Sequence, residues 1–268
     1  MERLDLKMQA MISSKAKIGK NVVIAPNAVV YDNVEIGDNV TIGPFCIIGE
    51  PARGDFADKP LVISDDSIIR SHSILYEGSQ YGPGLRVGHS SMLREGIVAG
   101  ESFQVGSFND LEGDIEVGRY VRFHSNVHIG RGAKIGNFVW VFPYVVFTND
   151  PLPPSGLKVG VKVEDGCIIC TSAVLLPGTV VREGAMIGAM TRGRGEIPSA
   201  AVILGFEGKI VGSLRRLHHK ETGKAHPWMS HFAGYYPEKV QPDLSQLHSR
   251  LLEACTSLEA KLAKVAST

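Results

Sequence analysis

Apolar residues recur at a fixed interval of six along most of this chain, and that interval excludes an ordinary globular core. Val87, Leu93, Ala99, Val105, Leu111, Val117, Phe123, Ile129, Ile135, Val141 and Phe147 fall in one unbroken register. Ile18, Ile24, Val30, Ile36, Ile42 and Ile48 keep the same beat, which resumes at Val62, Ile68 and Ile74 and again at Val163, Ile169, Leu175, Val181 and Ile187. A short fixed period marks stacked repeats. Period six fits a three-sided prism of short strands, with about 18 residues to a coil and about eight coils in all. The apolar residue points inward. Small or polar residues, Gly88, Gly106, Gly118, Gly130 and Gly136 among them, turn the corners.

The beat is interrupted three times. Residues 49–61 (GEPARGDFADKPL) are polar and turn-rich and read as a surface loop. Ile74 and Val87 are thirteen apart rather than twelve, so an extra residue near Gln80–Gly84 predicts a small bulge with Tyr81 at its tip. Thr148–Lys162 holds Pro151, Pro153 and Pro154, which stiffen it and keep it out of a strand ladder. After Ile187 the pattern decays, and 213–242 is irregular. The tail then predicts a helix, capped by Asp243 or Ser245. Its apolar stripe is Leu244, Leu247, Leu251, Cys255, Leu258, Leu262 and Val265. That stripe packs either on its own prism or at a subunit interface. The domain reading is 1–212 for the prism and 213–268 for an irregular linker and helix.

Composition narrows the function classes. The chain has 28 basic and 28 acidic residues, so a nucleic-acid partner is not favoured. Met1 is followed by Glu2 and Asp5 rather than a secretory signal, and no apolar run reaches membrane-spanning length. Cys46, Cys167, Cys170 and Cys255 have no framework spacing; Cys46 falls in a slot turned partly inward. Cys167 and Cys170 sit inside a running hexapeptide with no second pair nearby, so reduced thiols in a cytoplasmic protein are expected, with no metal.

This pattern resembles the hexapeptide-repeat acyltransferases over roughly residues 12–212. The resemblance implies an all-β solenoid, a left-handed parallel β-helix with a C-terminal α-helical extension, against the usual right-handed crossover. It further implies a homotrimer whose active site lies between subunits, with acyl-coenzyme A in the groove and the loop Thr148–Lys162 as its cover. Residues 68–78 (IIRSHSILYEG), 123–130 (FHSNVHIG) and 145–155 (VVFTNDPLPPS) are similar to N-acyltransferases of nucleotide-linked amino sugars, enzymes of bacterial polysaccharide synthesis. The expected activity is therefore transfer of an acetyl or short acyl group from acetyl-CoA to the amine of a dTDP- or UDP-linked amino-deoxy sugar. IGPFCIIG (42–49) and SNVHIGR (125–131) also resemble the UDP-N-acetylglucosamine O-acyltransferases of lipid A synthesis, which use acyl carrier protein. There Arg131 stands where that family has its catalytic histidine, and His128 matches only an upstream one.

Acyl transfer to an amine needs a proton acceptor and an oxyanion donor. His124 and His128 flank inward residues and should face outward; residues 18 apart stack, which puts His128 on Asp110, a carboxylate able to hold its tautomer. These three are the catalytic candidates. Departing coenzyme A thiolate is the alternative base. Glu95 stacks on Gly113 with Arg94 beside it, and both suit an amino sugar. Asn109, Glu101 and Tyr81 complete the substrate set, Tyr81 by stacking on a nucleobase. For coenzyme A the candidates are Asn149 and Asp150 in the proline loop and Arg192, Arg194 and Lys209 near the closing coils. The non-enzymatic competitor is a zinc-binding or scaffold solenoid of the γ-carbonic-anhydrase kind; His89, His124 and His128 have no ligand spacing that supports it.

Overall fold

A computed structural model describes residues 9–218, 220–221, 223 and 233–266. Two compact units divide the chain, 1–133 and 134–268. Both are built from the same coil, that of a left-handed parallel β-helix.

In the first unit every coil lays one short strand on each of three sheets. Sheet A runs from Met11–Ile12 to His128–Ile129, sheet B from Lys17–Ile18 to Ile115–Val117, and sheet C from Val23–Ile24 to Arg122–Phe123. Strands pair in parallel 18 residues on, as Met11 with Val29 and Asp110 with His128. The loop at 51–60 lengthens one step to 27, Val34 pairing with Leu61.

Two inward slots per side fill the core. The large slot takes the six-residue beat; Val87, Leu93, Leu111 and Ile129 are all buried. The second slot, two residues earlier, takes either another apolar side chain, such as Leu85 or Phe103, or a small or hydroxyl-bearing one. Ser73 donates to Gly88 O, Ser91 to Gly106 O and Ser79 to Arg94 O, so corner carbonyls find partners inside the coil. Cys46 occupies such a slot, fully buried, with its thiol toward Arg70 O.

The register between 62 and 74 differs from the sequence reading. The inward residues there are Ile63, Ile69 and Leu75, while Val62, Ile68 and Ile74 are half-exposed on the outer face. From Ile63 the beat continues through Leu75, Tyr81 and Val87 with no extra residue. Tyr81 is therefore not a loop tip. It sits in a strand, 1% exposed, where burial pushes its phenol well above the ordinary value with Ser79 opposing. A buried ring cannot stack on a nucleobase.

Corners turn through left-handed backbone, a conformation that disfavours any side chain. Asn21, Asn27, Asn39, Asp66 and Asn126 are the residue types that tolerate it, but Phe45, Phe108 and Tyr120 adopt it too. The corners are thus not only small or polar. Phe45 and Phe108 leave half or more of their surface in solvent, and Phe45 stacks on His72 with centroids 5.0 Å apart.

In the second unit the same three-sided coil runs from Lys134–Ile135 to Ala201–Leu204. The latter strand is closed by an antiparallel partner, Lys209–Ser213. Helix α1 spans Gln241–Ala266 and follows a 3-10 turn at Glu238–Val240, so it begins before Asp243, which lies in its first turn rather than at a cap. Leu244, Leu247, Leu251, Cys255 and Leu258 are buried, Leu251 against Gly184. Arg250 pairs with Glu183, and Glu259 accepts from Ser213 and Arg215. The helical stripe packs on its own β-helix. The side chain of Val265 lies outside the described residues, as do Met1, Glu2 and Asp5. Trp140 donates its indole N–H to the Tyr236 hydroxyl at 2.8 Å, tying the chain just after the 3-10 turn Ala233–Tyr235 to this coil.

Candidate active site

The most developed polar cluster of the first unit lies where sheet A strands turn toward sheet B. Nδ1 of His128 is 3.1 Å from Oδ2 of Asp110. A carboxylate only accepts, so in this contact Nδ1 donates and Nε2 is the ring's other nitrogen. Oε1 of Glu112 stands 3.7 Å from that Nε2. Glu112 also accepts the backbone N–H of Arg131 at 3.0 Å. The Arg131 guanidinium reaches back two coils to Glu95, which also receives Nε and Nη2 of Arg94 at 3.2 and 3.1 Å.

Glu95 is 4% exposed. Burying a carboxylate is costly unless it is paired, and two guanidinium groups meet that requirement. Glu95 is therefore a buried anchor for Arg94 and Arg131 rather than an open sugar reader. Arg94 stays half-exposed, 5.9 Å from the Tyr76 ring.

The 51–60 loop is fastened beside this cluster. Buried Glu77 accepts the N–H groups of Ala52 and Asp58 at 2.9 and 3.1 Å, and Gly78 N–H donates to Lys59 O. Phe56 lies over Gly96. A Cβ there would sit 2.3 Å from its ring, so only glycine admits the aromatic at that corner.

The other sequence-level candidates separate. Asn109 is 2% exposed and its Oδ1 accepts Val127 N–H at 2.6 Å; this internal bond removes it from the substrate set. Glu101 lies at the corner between sheets B and C, not beside Glu95, and accepts the Tyr120 hydroxyl at 2.9 Å. His124 leaves sheet C, one corner before His128. Burial, and then the neighbouring Arg122, lower its pKa below the ordinary imidazole value.

In the second unit Asp150 is turned into its own loop. It accepts the N–H groups of Leu152 and Ser155 and the Ser155 hydroxyl, which hold its carboxyl below the usual range. That is turn chemistry, and it leaves Asp150 committed. Asn149 is buried and its carbonyl accepts Val159 N–H. Arg192 pairs with Glu207 at 2.9 Å under the Phe206 ring, while Arg194 and Lys209 are exposed. Burial raises the thiols of Cys167 and, to about 11, of Cys170. No group of three metal-ligating side chains occurs among the described residues, and no described helix is long and apolar enough to cross a membrane.

The stacking rule found the His128–Asp110 pair. It missed Glu112 as its neighbour and Arg131 as the partner of Glu95. The second signal was available, because 36 residues are two coils.

The bacterial transferase hexapeptide pattern (six repeats) matches residues 15–50. The bifunctional protein GlmU of Rhodococcus jostii is 29% identical over 153 residues, 56% of this chain, as is that of Rhodococcus opacus. The chain spans about three-tenths of the length of these curated relatives. Among solved structures, the UDP-N-acetylglucosamine acyltransferase of Campylobacter jejuni aligns at TM-score 0.60 and 17% identity, over 89% of this chain and 81% of that one. The Arabidopsis UDP-N-acetylglucosamine acyltransferase aligns at 0.57 and 16%, over 76% and 73%. Likeness at such identities is likeness of fold. By its six-residue repeat and its coil, this chain is a hexapeptide-repeat left-handed β-helix protein, similar in architecture to acyltransferases.

Proposed function

We propose that the protein is an acyltransferase acting on a nucleotide-linked sugar, with His128 as its general base. The carrying observation is the His128–Asp110 pair, set in a cluster of charged groups beside a fastened loop. Asp110 accepts from Nδ1 and so orients Nε2 as the proton acceptor, with Oε1 of Glu112 3.7 Å from that nitrogen. The sugar amine then attacks the thioester carbonyl, the C–N bond forms, the proton passes to Nε2, and the thiolate leaves and is protonated in turn. In this reading Arg94, half-exposed and anchored by Glu95, takes a sugar hydroxyl or phosphate.

In this reading the acceptor is the amine of a dTDP- or UDP-linked amino-deoxy sugar, the donor is acetyl-CoA, and a trimer supplies the second wall of the site. A second reading, O-acyl transfer from acyl carrier protein to UDP-N-acetylglucosamine, is favoured by the fold likeness to that enzyme class over 89% of the chain. Arg131 argues against it, because its guanidinium is bound to Glu95 and cannot act as a base.

Thiol release measured with acetyl-CoA against a panel of nucleotide amino sugars decides between them, run beside acyl carrier protein with UDP-N-acetylglucosamine. Amine-dependent thiol release supports the first reading. Release only with the carrier protein establishes the second, and release with neither overturns both.

A further inference from the structure

Sheet C of the first unit carries a cleft of about 500 Å³ on its outer face. Its charged or titratable lining is wholly basic: Arg70, Arg86, Arg122 and His124. No carboxylate lines it, although acidic residues equal basic ones in the chain as a whole.

The coil dictates how these groups meet. Arg86 pairs with Gln104, and Gln104 with Arg122, so the two arginines stand two rungs apart, roughly 10 Å at the backbone. Gln104 Oε1 accepts Nε of Arg122 at 3.0 Å and orients it. Arg70 and His124 belong to the next column, separated by Gly88 and Gly106. A Cβ on Gly88 would stand 2.5 Å from Gly106, and one on Gly106 2.5 Å from the His124 backbone. The stack thus demands glycine at both places, and the floor between the cations is bare backbone.

Arg70 and Arg86 form no ion pair among the described residues. Most other arginines of this fold do: Arg94 and Arg131 with Glu95, Arg182 with Glu164 and Glu196, Arg250 with Glu183. Like charges gathered on one face repel unless an anion joins them. Guanidinium forks match phosphate oxygens in pairs, which an isolated lysine does not.

We infer that this cleft binds a phosphate-bearing anion, a pyrophosphate or phosphate ester, through Arg70, Arg86 and Arg122, with His124 and Ser125 as further hydrogen-bond donors. The inference stands on the cleft alone and does not require the acyl-transfer reading. The burial-lowered imidazole of His124 supplies a reporter, since a bound anion beside it raises its pKa.

Calorimetry on the full chain with inorganic pyrophosphate, UDP and coenzyme A tests it, together with NMR titration of the His124 ring. Binding is expected with an affinity that falls as salt rises, and with an upward shift of the His124 titration. Arg70→Gln/Arg86→Gln should weaken it at least tenfold, and Lys20→Gln, on an exposed part of the first coils, should not. Equal affinity for all three ligands means the cleft reads phosphate alone; preference for UDP or for coenzyme A identifies the nucleotide as the source. Circular dichroism shows that the double variant is folded, and the His124 shift is read again in Arg86→Gln alone. Absence of binding by all three ligands, or unchanged affinity in the folded double variant, overturns the inference.

Discussion

His128 and Asp110 face each other at 3.1 Å from equivalent positions of adjacent coils, paired by the strand ladder itself. The backbone stack, not a flexible loop, fixes the geometry, so the two side chains can be tested separately without disturbing the scaffold. His128→Ala should lower kcat about a hundredfold, equivalent to about 2.7 kcal/mol at the barrier, with little change in KM. Asp110→Asn should lower it about tenfold by releasing the tautomer. Steady-state kinetics checks both. A loss below about fivefold for His128→Ala would instead assign the proton to the departing thiolate.

Glu95→Gln should destabilise the first unit by about 1–3 kcal/mol. The buried amide leaves Arg94 and Arg131 without their counter-charge. Thermal unfolding measures the loss, and adding Arg131→Met should recover part of it.

Tyr81 sits in the inward slot that the coil elsewhere fills with aliphatic residues or, at Phe123 and Phe147, with phenylalanine. Tyr81→Phe should change stability by less than about 1 kcal/mol, whereas Tyr81→Ala should cost about 3–5 kcal/mol by opening a cavity. Denaturant titration separates the two, and KM for substrate should be unchanged in Tyr81→Phe.

The lowered pKa of His124 gives a signed pH dependence. Between that value and the unfolded value near ~6.5, the unfolded chain binds more protons than the folded one, so stability rises with pH through this window. Above it the dependence vanishes. His124→Gln should flatten the slope between acidic and neutral pH, measured as unfolding midpoint in denaturant.

Phe108 holds left-handed backbone at φ 58° while 62% exposed. Phe108→Asn should therefore stabilise the isolated chain by about 1 kcal/mol. Differential scanning calorimetry reads this, with light scattering to show whether association is altered.

The sequence made the coil legible because the inward slot admits few residue types and recurs without a slip from Ile63 to Phe147. It misled at Val62, Ile68 and Ile74 because those strands carry apolar residues on both faces, so two phases of the same period compete. Counting back from Val87 through Tyr81 and Leu75 selects the correct phase, once a tyrosine is allowed in an aliphatic slot. The 18-residue step likewise brought out Asp110 and His128. Asn109 and Asp150 were misjudged because each side chain is taken up by backbone before it can serve a ligand: Asn109, in a buried inward slot, by Val127 N–H of the next coil, and Asp150 by its own turn. The α1 stripe was readable, but its partner surface around Gly184 was not, because periodicity specifies a face and not what covers it.

The excursion at 51–60 departs after Ile47–Glu50 and returns so that Leu61 still meets Val34. Its length is therefore invisible to the interior. A chain wound this way can lengthen, shorten or exchange that segment and leave every later rung in phase, which makes this edge the natural place for new specificities to be grafted, by selection or by design.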